Sequence, residues 1–180
     1  MKPYVTYGIG IAVAGALLTL ALFFMGVHND VEKMQSTGSI AGWLTFAIAI
    51  IGVVLAIRAT RNGSPDGGLT YGRGVLTALL VGVVAGVLGA VFNYVYTAII
   101  NPGMVETLRE MQVAALEGKG LNQQQIDAAE GVMKIMTSPV VTSAMALLMT
   151  PIFYTIVGLI ASIFLKREPV APPAVPPAAA

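Results

Sequence analysis

The chain has 180 residues, 56% hydrophobic and only 11% charged, with a net charge of +1 and a mean hydropathy of +0.80. A soluble globular domain carries about 25% charged residues, so that class is excluded; the near-neutral balance leaves no basic footprint for nucleic acid. With no cysteine, a disulfide framework, thiolate metal sites and a cysteine nucleophile are excluded, while the redox compartment stays open.

In chain order, residues 4–27 form the first of four runs without a charged side chain. The others are 40–57, 74–100 and 139–165, and all ten Lys/Arg and all nine Asp/Glu lie between or outside them. A helix rises about 1.5 Å per residue, so about 20 residues cross a hydrocarbon core about 30 Å thick. Three runs span with length to spare, and the second just reaches. The first run follows Lys2 as a signal peptide would, but it exceeds the about 7–15 apolar residues of such a segment, and no small-x-small site follows before His28 and Asn29. It is therefore read as an uncleaved span.

The connections differ in character. Residues 28–39 read as a short acidic turn. Residues 58–73, RATRNGSPDGGLTYGR, stack Asn62-Gly63, Ser64-Pro65 and Asp66-Gly67-Gly68 as turn formers and predict a loop without helix. The stretch 101–138 is too long for a plain loop in a small protein. There Met104, Leu108, Met111 and Ala115 recur at helical spacing, and Gly118-Lys119-Gly120 breaks that helix. Asn122 with Gln125 resembles a capping box opening a second helix, with Ile126, Ala129, Met133 and Met136 on one face. Ser138 then caps the fourth span, with Pro139 at the first helical position, where its missing N–H costs nothing. The expectation is an amphipathic helical hairpin at 103–137, outside the membrane. Residues 168–180 are a Pro/Ala-rich tail, extended or disordered.

The predicted fold is all-α: a polytopic membrane protein whose four transmembrane helices form a bundle, one domain over residues 1–167. Lys2, Arg58, Arg61, Arg73, Lys166 and Arg167 fall on one side with Asp66 and Glu168. Lys33, Arg109, Lys119 and Lys134 fall on the other with seven acids. The rule that cytoplasmic ends are enriched in Lys and Arg then places both termini in the cytoplasm.

Within the spans the informative residues are small. Gly82, Gly86, Gly89 and Asn93 share one face of the third, and Gly82-x-x-x-Gly86 is a close-packing pattern, because small residues let helix backbones approach in lipid. Gly8, Ala12, Gly15 and Thr19 in the first span, Gly42, Thr45, Ala49, Gly52 and Ala56 in the second, and Ser143, Leu147, Thr150, Tyr154 and Gly158 in the fourth give each helix a small or polar stripe. Leucine at Gly86 is expected to wedge the helices apart, and leucine at Val84, on another face, to be mild. The Asn93 amide needs a partner, and Ser143, Thr150 and Tyr154 are candidates for interhelical hydrogen bonding. Pro151 predicts a kink that frees a backbone carbonyl near Leu147. Trp43, Tyr4, Tyr94 and Tyr96 fit an interfacial aromatic belt. No nucleotide, serine-hydrolase or zinc-protease motif is present. His28 beside Asp30 and Glu32 offers too few ligands for a metal site, so no catalytic residue, metal or cofactor is assigned.

Several stretches resemble a known family. They are Tyr7-Gly8, GGLTYG at 67–72, FNYVY at 92–96 running into IINP at 99–102, Ser138-Pro139, and GLIASIFLKR at 158–167. Together they are similar to the bacterial four-span family catalogued as domain of unknown function 4199, in order across residues 1–167, with the tail outside the pattern. The resemblance implies a bacterial inner (cytoplasmic) membrane protein and brings no catalytic residues. The leading functional reading is a non-enzymatic scaffold or partner-binding component of the lipid bilayer, with a protein partner or a homo-oligomer as the associate. Its expected surface is the hairpin face of Met104, Leu108, Met111 and Met133. The alternative is a small oligomeric channel or facilitator for an uncharged solute near Asn93, and a lipid-active enzyme ranks third.

Overall fold

Every apolar run becomes a helix, and one helix continues past its run at both ends. The computed structural model describes residues 1–65, 67–119 and 122–167; the tail expected at 168–180 lies outside the described residues. Helix α1 (Pro3–Phe24) begins on a proline that needs no N–H partner. It ends at Gly26, whose φ of 73° suits a residue without Cβ. A tight turn, Val27–Asn29, follows, and Asp30 then caps α2 (Val31–Asn62) by accepting the Lys33 N–H at 3.0 Å. Helix α3 (Tyr71–Val95) is capped by Thr70 and widens at its end into one π-helical turn, Tyr96–Ile100. The hairpin consists of α4 (Gly103–Glu117) and α5 (Gln123–Met136), the latter opened by the Asn122/Gln125 capping box. Helix α6 (Pro139–Leu165) starts at the Ser138 cap and contains Pro151.

Two expectations are corrected. The acidic turn at 28–39 is helical from Val31 onward, and the loop expected at 58–73 does not begin until Gly63. Polar residues mark where the hydrocarbon ends, whereas backbone hydrogen bonding continues for as long as caps and propensity permit. At 32 residues, α2 is about 48 Å long, more than a bilayer core needs. What remains of the loop is tied down: Leu69 and Arg167 exchange backbone hydrogen bonds at 2.9 and 3.0 Å, and the Leu69 side chain is buried.

Four helices, Pro3–Phe24, Val31–Asn62, Tyr71–Ile100 and Pro139–Leu165, are long and apolar enough to cross a membrane. Leu17, Ile51, Val91 and Ile160 project outward, one from each span, a surface that suits lipid. Helix α3 is central, packing most extensively on α6 and next on α1, while α2 touches α1, α3 and α6. The packing depends on glycine. A Cβ at Gly82 would stand 2.8 Å from the Pro151 Cα; one at Gly86 would stand 3.4 Å from the Pro151 ring and 3.5 Å from the Leu147 carbonyl. That carbonyl is the one proline deprives of its i+4 donor, so the α3 glycines seat the irregular turn of α6. Gly158 lies against Ala78 and Gly52 against Ile11. Val84 is not on a free face: it packs on Gly8, where a Cβ would stand 2.7 Å from the valine. Leucine at Val84 is therefore not the mild change expected.

The bundle has two unlike halves. Toward the chain termini Val53, Ala56, Ile57, Ala78 and Val81 are all 0% exposed, with Leu69 beneath them. Toward the hairpin a gap opens among α1, α2 and α3, while α3 and α6 stay joined at Asn93.

Candidate functional site

The separation follows from the stripes. A Cβ at Gly15, Gly42 or Gly89 would meet nothing within 4 Å. Where small residues face one another without a large one between them, the space stays open. It forms a cavity of about 400 Å³ among α1, α2 and α3, with His28 and Met104 at the hairpin end and Thr150 and Tyr154 at the far end. That volume lies in the range of about 300–1,000 Å³ typical of small-molecule sites.

At the hairpin end sits a buried polar cluster. Gly26 reverses the chain so that Val27 and His28 turn inward, both buried. The π-turn closes with the Asn101 N–H donating to the Tyr96 carbonyl at 2.7 Å. This brings the Asn101 side chain over its own helix, and Asn101 Nδ2 donates to Tyr96 Oη at 3.2 Å. His28 Nδ1 lies 2.6 Å from the same oxygen. The Tyr96 hydroxyl accepts from Asn101 and shares one hydrogen with His28 Nδ1, donating or accepting according to the imidazole tautomer, which leaves Nε2 for a further partner. Phe23 and His28 meet the Tyr96 ring edge-on and Phe92 stacks on it. Burial pushes the His28 imidazole below its ordinary value of 6.5, so the neutral ring is favoured.

Further in, Asn93 Nδ2 donates to Ser143 Oγ at 3.0 Å and Thr142 Oγ1 at 3.2 Å, joining α3 to α6. Ser143 is one of the partners expected from the sequence, and Thr142 is an addition. Both amide hydrogens are used, and the Asn93 Oδ1 acceptor has no protein partner among the described residues. The hydroxyls of Thr150 and Tyr154, and His28 Nε2, likewise have no protein hydrogen bond among the described residues. Among the described residues, the enclosed side-chain polar atoms without a partner are Arg109 Nε and Ser162 Oγ, neither of them in the cavity. The free groups of Asn93, Thr150, Tyr154 and His28 thus reach open space.

The residues singled out in the sequence divide between two roles. Gly82 and Gly86 lie in the α3–α6 contact, whereas Gly89, expected with them, lines the cavity. Asn93 does both. Of the hairpin residues, Met104 points into the cavity, and Leu108, Met111 and Met133 are half-buried. Helix α4 packs on α2, on the 27–29 turn and on α5, so it roofs the bundle. The large apolar residues most exposed on the hairpin are Val132, Ile135 and Met136 of α5. Tyr94 and Trp43 are exposed as a belt requires, but Tyr96 is 1% exposed and belongs to the polar cluster. His28, Tyr96, Asn101 and Tyr154 were not recognised as one site, although Gly26 before the only histidine was a signal that the chain turns inward there. No group of three or more His, Cys, Asp or Glu able to hold a metal occurs among the described residues.

Architecture and cavity together define a four-span α-helical membrane protein with a small-molecule-sized cleft at the hairpin end. Residues 6–167 match the model of the family described as "Protein of unknown function (DUF4199)", and the chain belongs to that family. Neither the curated proteins nor the solved structures return a match.

Proposed function

We propose that this protein is a non-enzymatic membrane component that acts by binding, with the hairpin end as its working end. The observation that supports this reading is the contrast within the bundle: free hydrogen-bonding groups line a cleft in one half, and the other half is filled by side chains without exposure. The facilitator reading is favoured by the uncharged cleft at Asn93. It is opposed by Val53, Ile57 and Val81, which leave no path beyond Tyr154.

Liposomes carrying the protein, shrunk with glycerol or urea and followed by light scattering, should respond at the rate of protein-free vesicles. A faster flux that Gly89→Leu abolishes would make the protein a facilitator instead. The orientation belongs to the same proposal, with the termini cytoplasmic and the hairpin outside, motivated by the basic residues near the terminal ends of the spans. The chain has no cysteine, so single cysteines can be introduced. Ser36→Cys and Gln124→Cys should react with an impermeant thiol reagent in intact spheroplasts and Gly72→Cys should not; the reverse pattern inverts the topology.

A further inference from the structure

We infer that the cleft is a binding site for an uncharged, hydroxyl-bearing amphiphile whose head lies at the His28–Asn93 end and whose apolar body runs toward Tyr154; this rests on the binding reading above. Among the described residues, no Lys, Arg, Asp or Glu lines the cleft. An ion taken into it would leave water without gaining a counter-charge, at heavy cost in so apolar a setting. The ligand is neutral.

The free groups select its head. Tyr96 holds His28 Nδ1, so Nε2 is the ring nitrogen left for a ligand, as N–H or lone pair, while Asn93 Oδ1, its amide hydrogens already committed to Ser143 and Thr142, presents an acceptor. A carbonyl or ether cannot serve the second. A hydroxyl both donates and accepts, so it serves Asn93 Oδ1 and suits Nε2 in either tautomer. The remaining walls include Ile11, Leu22, Ile48 and Phe92, which suit a hydrocarbon body. The lining runs from Ile11 to Leu22 on α1 and from Ala85 to Tyr96 on α3, about 16 Å along either helix. A single extended chain fits that length. Thr150 and Tyr154 close the far end with hydroxyls that water can serve.

His28 is the only histidine in the chain, so ¹⁵N-histidine labelling gives a one-residue spectrum. The protein in phosphatidylcholine nanodiscs is titrated with 1-dodecanol and, separately, with dodecane. The expected result is a saturable shift of the Nε2 resonance with the alcohol, none with the alkane, and an Nδ1 resonance that stays bonded to Tyr96. Gly89→Leu fills the cleft and should abolish the response; Gly42→Leu fills it from α2 and serves if the first variant does not fold. No saturable shift in the folded protein, an equal shift with dodecane, or a shift that survives the filled cleft overturns the assignment. Vesicle flux would sink the binding reading without touching this spectrum, and a silent spectrum in a protein that carries no flux removes the ligand alone.

Discussion

The two halves of the bundle use the same small-residue stripe to opposite ends. In the terminal half the glycines at the helix contacts meet something: Gly82 the backbone at Pro151, Gly158 the Ala78 methyl, Gly52 the Ile11 side chain. In the hairpin half Gly15, Gly42 and Gly89 meet nothing within 4 Å of a Cβ position. A small residue lets a neighbour approach, but the residue opposite decides whether the gap is closed. One stripe can therefore build a seal at one end of a helix and a cleft at the other.

The largest expected effect breaks that contrast directly. Gly82→Leu drives side-chain atoms into the Pro151 backbone, which has no flexible end to yield. Overpacking typically costs about 1–3 kcal/mol, and more where only backbone can move. Gly89→Leu places the same side chain in open space and should leave the fold intact. Melting temperatures of the two purified variants should differ by many degrees, and equal values would erase the distinction between the halves. Val83→Leu, at an exposed position on α3, is the appropriate control in place of Val84.

A smaller loss is expected at the polar roof. Tyr96→Phe removes the hydroxyl shared by His28 Nδ1 and Asn101 Nδ2. Both are left in a buried setting with no replacement, at about 1–3 kcal/mol for an unmet buried group. Melting of Tyr96→Phe should fall well below wild type while helix content by circular dichroism is kept. An unchanged melting point would mean that water already serves these atoms.

How much of this was legible in the sequence depends on the range of the interaction. The four spans, the hairpin and the Asn122/Gln125 capping box follow from runs, spacing and local caps, and all were readable. The ends of α2 were not, because Glu32, Gln35 and Ser36 look like a turn to hydropathy while the Asp30 cap makes them a helix. The cleft and its roof were least legible. His28 and Tyr96 are 68 positions apart, and only the arrangement of α1 against α3 joins them. Asn101 is five positions beyond Tyr96, no neighbour in an α-helix, and becomes one through the π-turn. Gly89 repeats the pattern of Gly82 and Gly86, and nothing in that pattern says that it faces the cleft rather than α6.

Asn93 sits where seal and cleft meet, and its replacement sharpens the comparison. Asn93→Ala removes two hydrogen bonds between α3 and α6. Interhelical hydrogen bonds in membranes average about 0.6 kcal/mol and reach about 1.7, so the loss should be modest and smaller than at Gly82 or Tyr96. Unfolding in increasing sodium dodecyl sulfate resolves a change of that size. A loss as large as that of Gly82→Leu would mean that the amide, and not the glycine contact, holds α3 to α6.

The smallest effect concerns pH. The His28 imidazole titrates below 6.5 in the folded protein because burial disfavours its charged form. In the unfolded chain the same ring takes up its proton at the ordinary value. Between the folded and ordinary values the unfolded state binds more protons, so stability rises with pH through that window. The contribution of His28 is complete above 6.5 and is lost as pH falls toward the folded value. His28 lies in the hairpin half, so its part of the pH response belongs there. Melting temperatures between pH 5 and 7.5 should climb in wild type and climb less in His28→Gln, whose amide cannot be protonated in that range. Equal slopes in the two proteins would show that the imidazole is as well solvated folded as unfolded, and that the roof over the cleft is open to water.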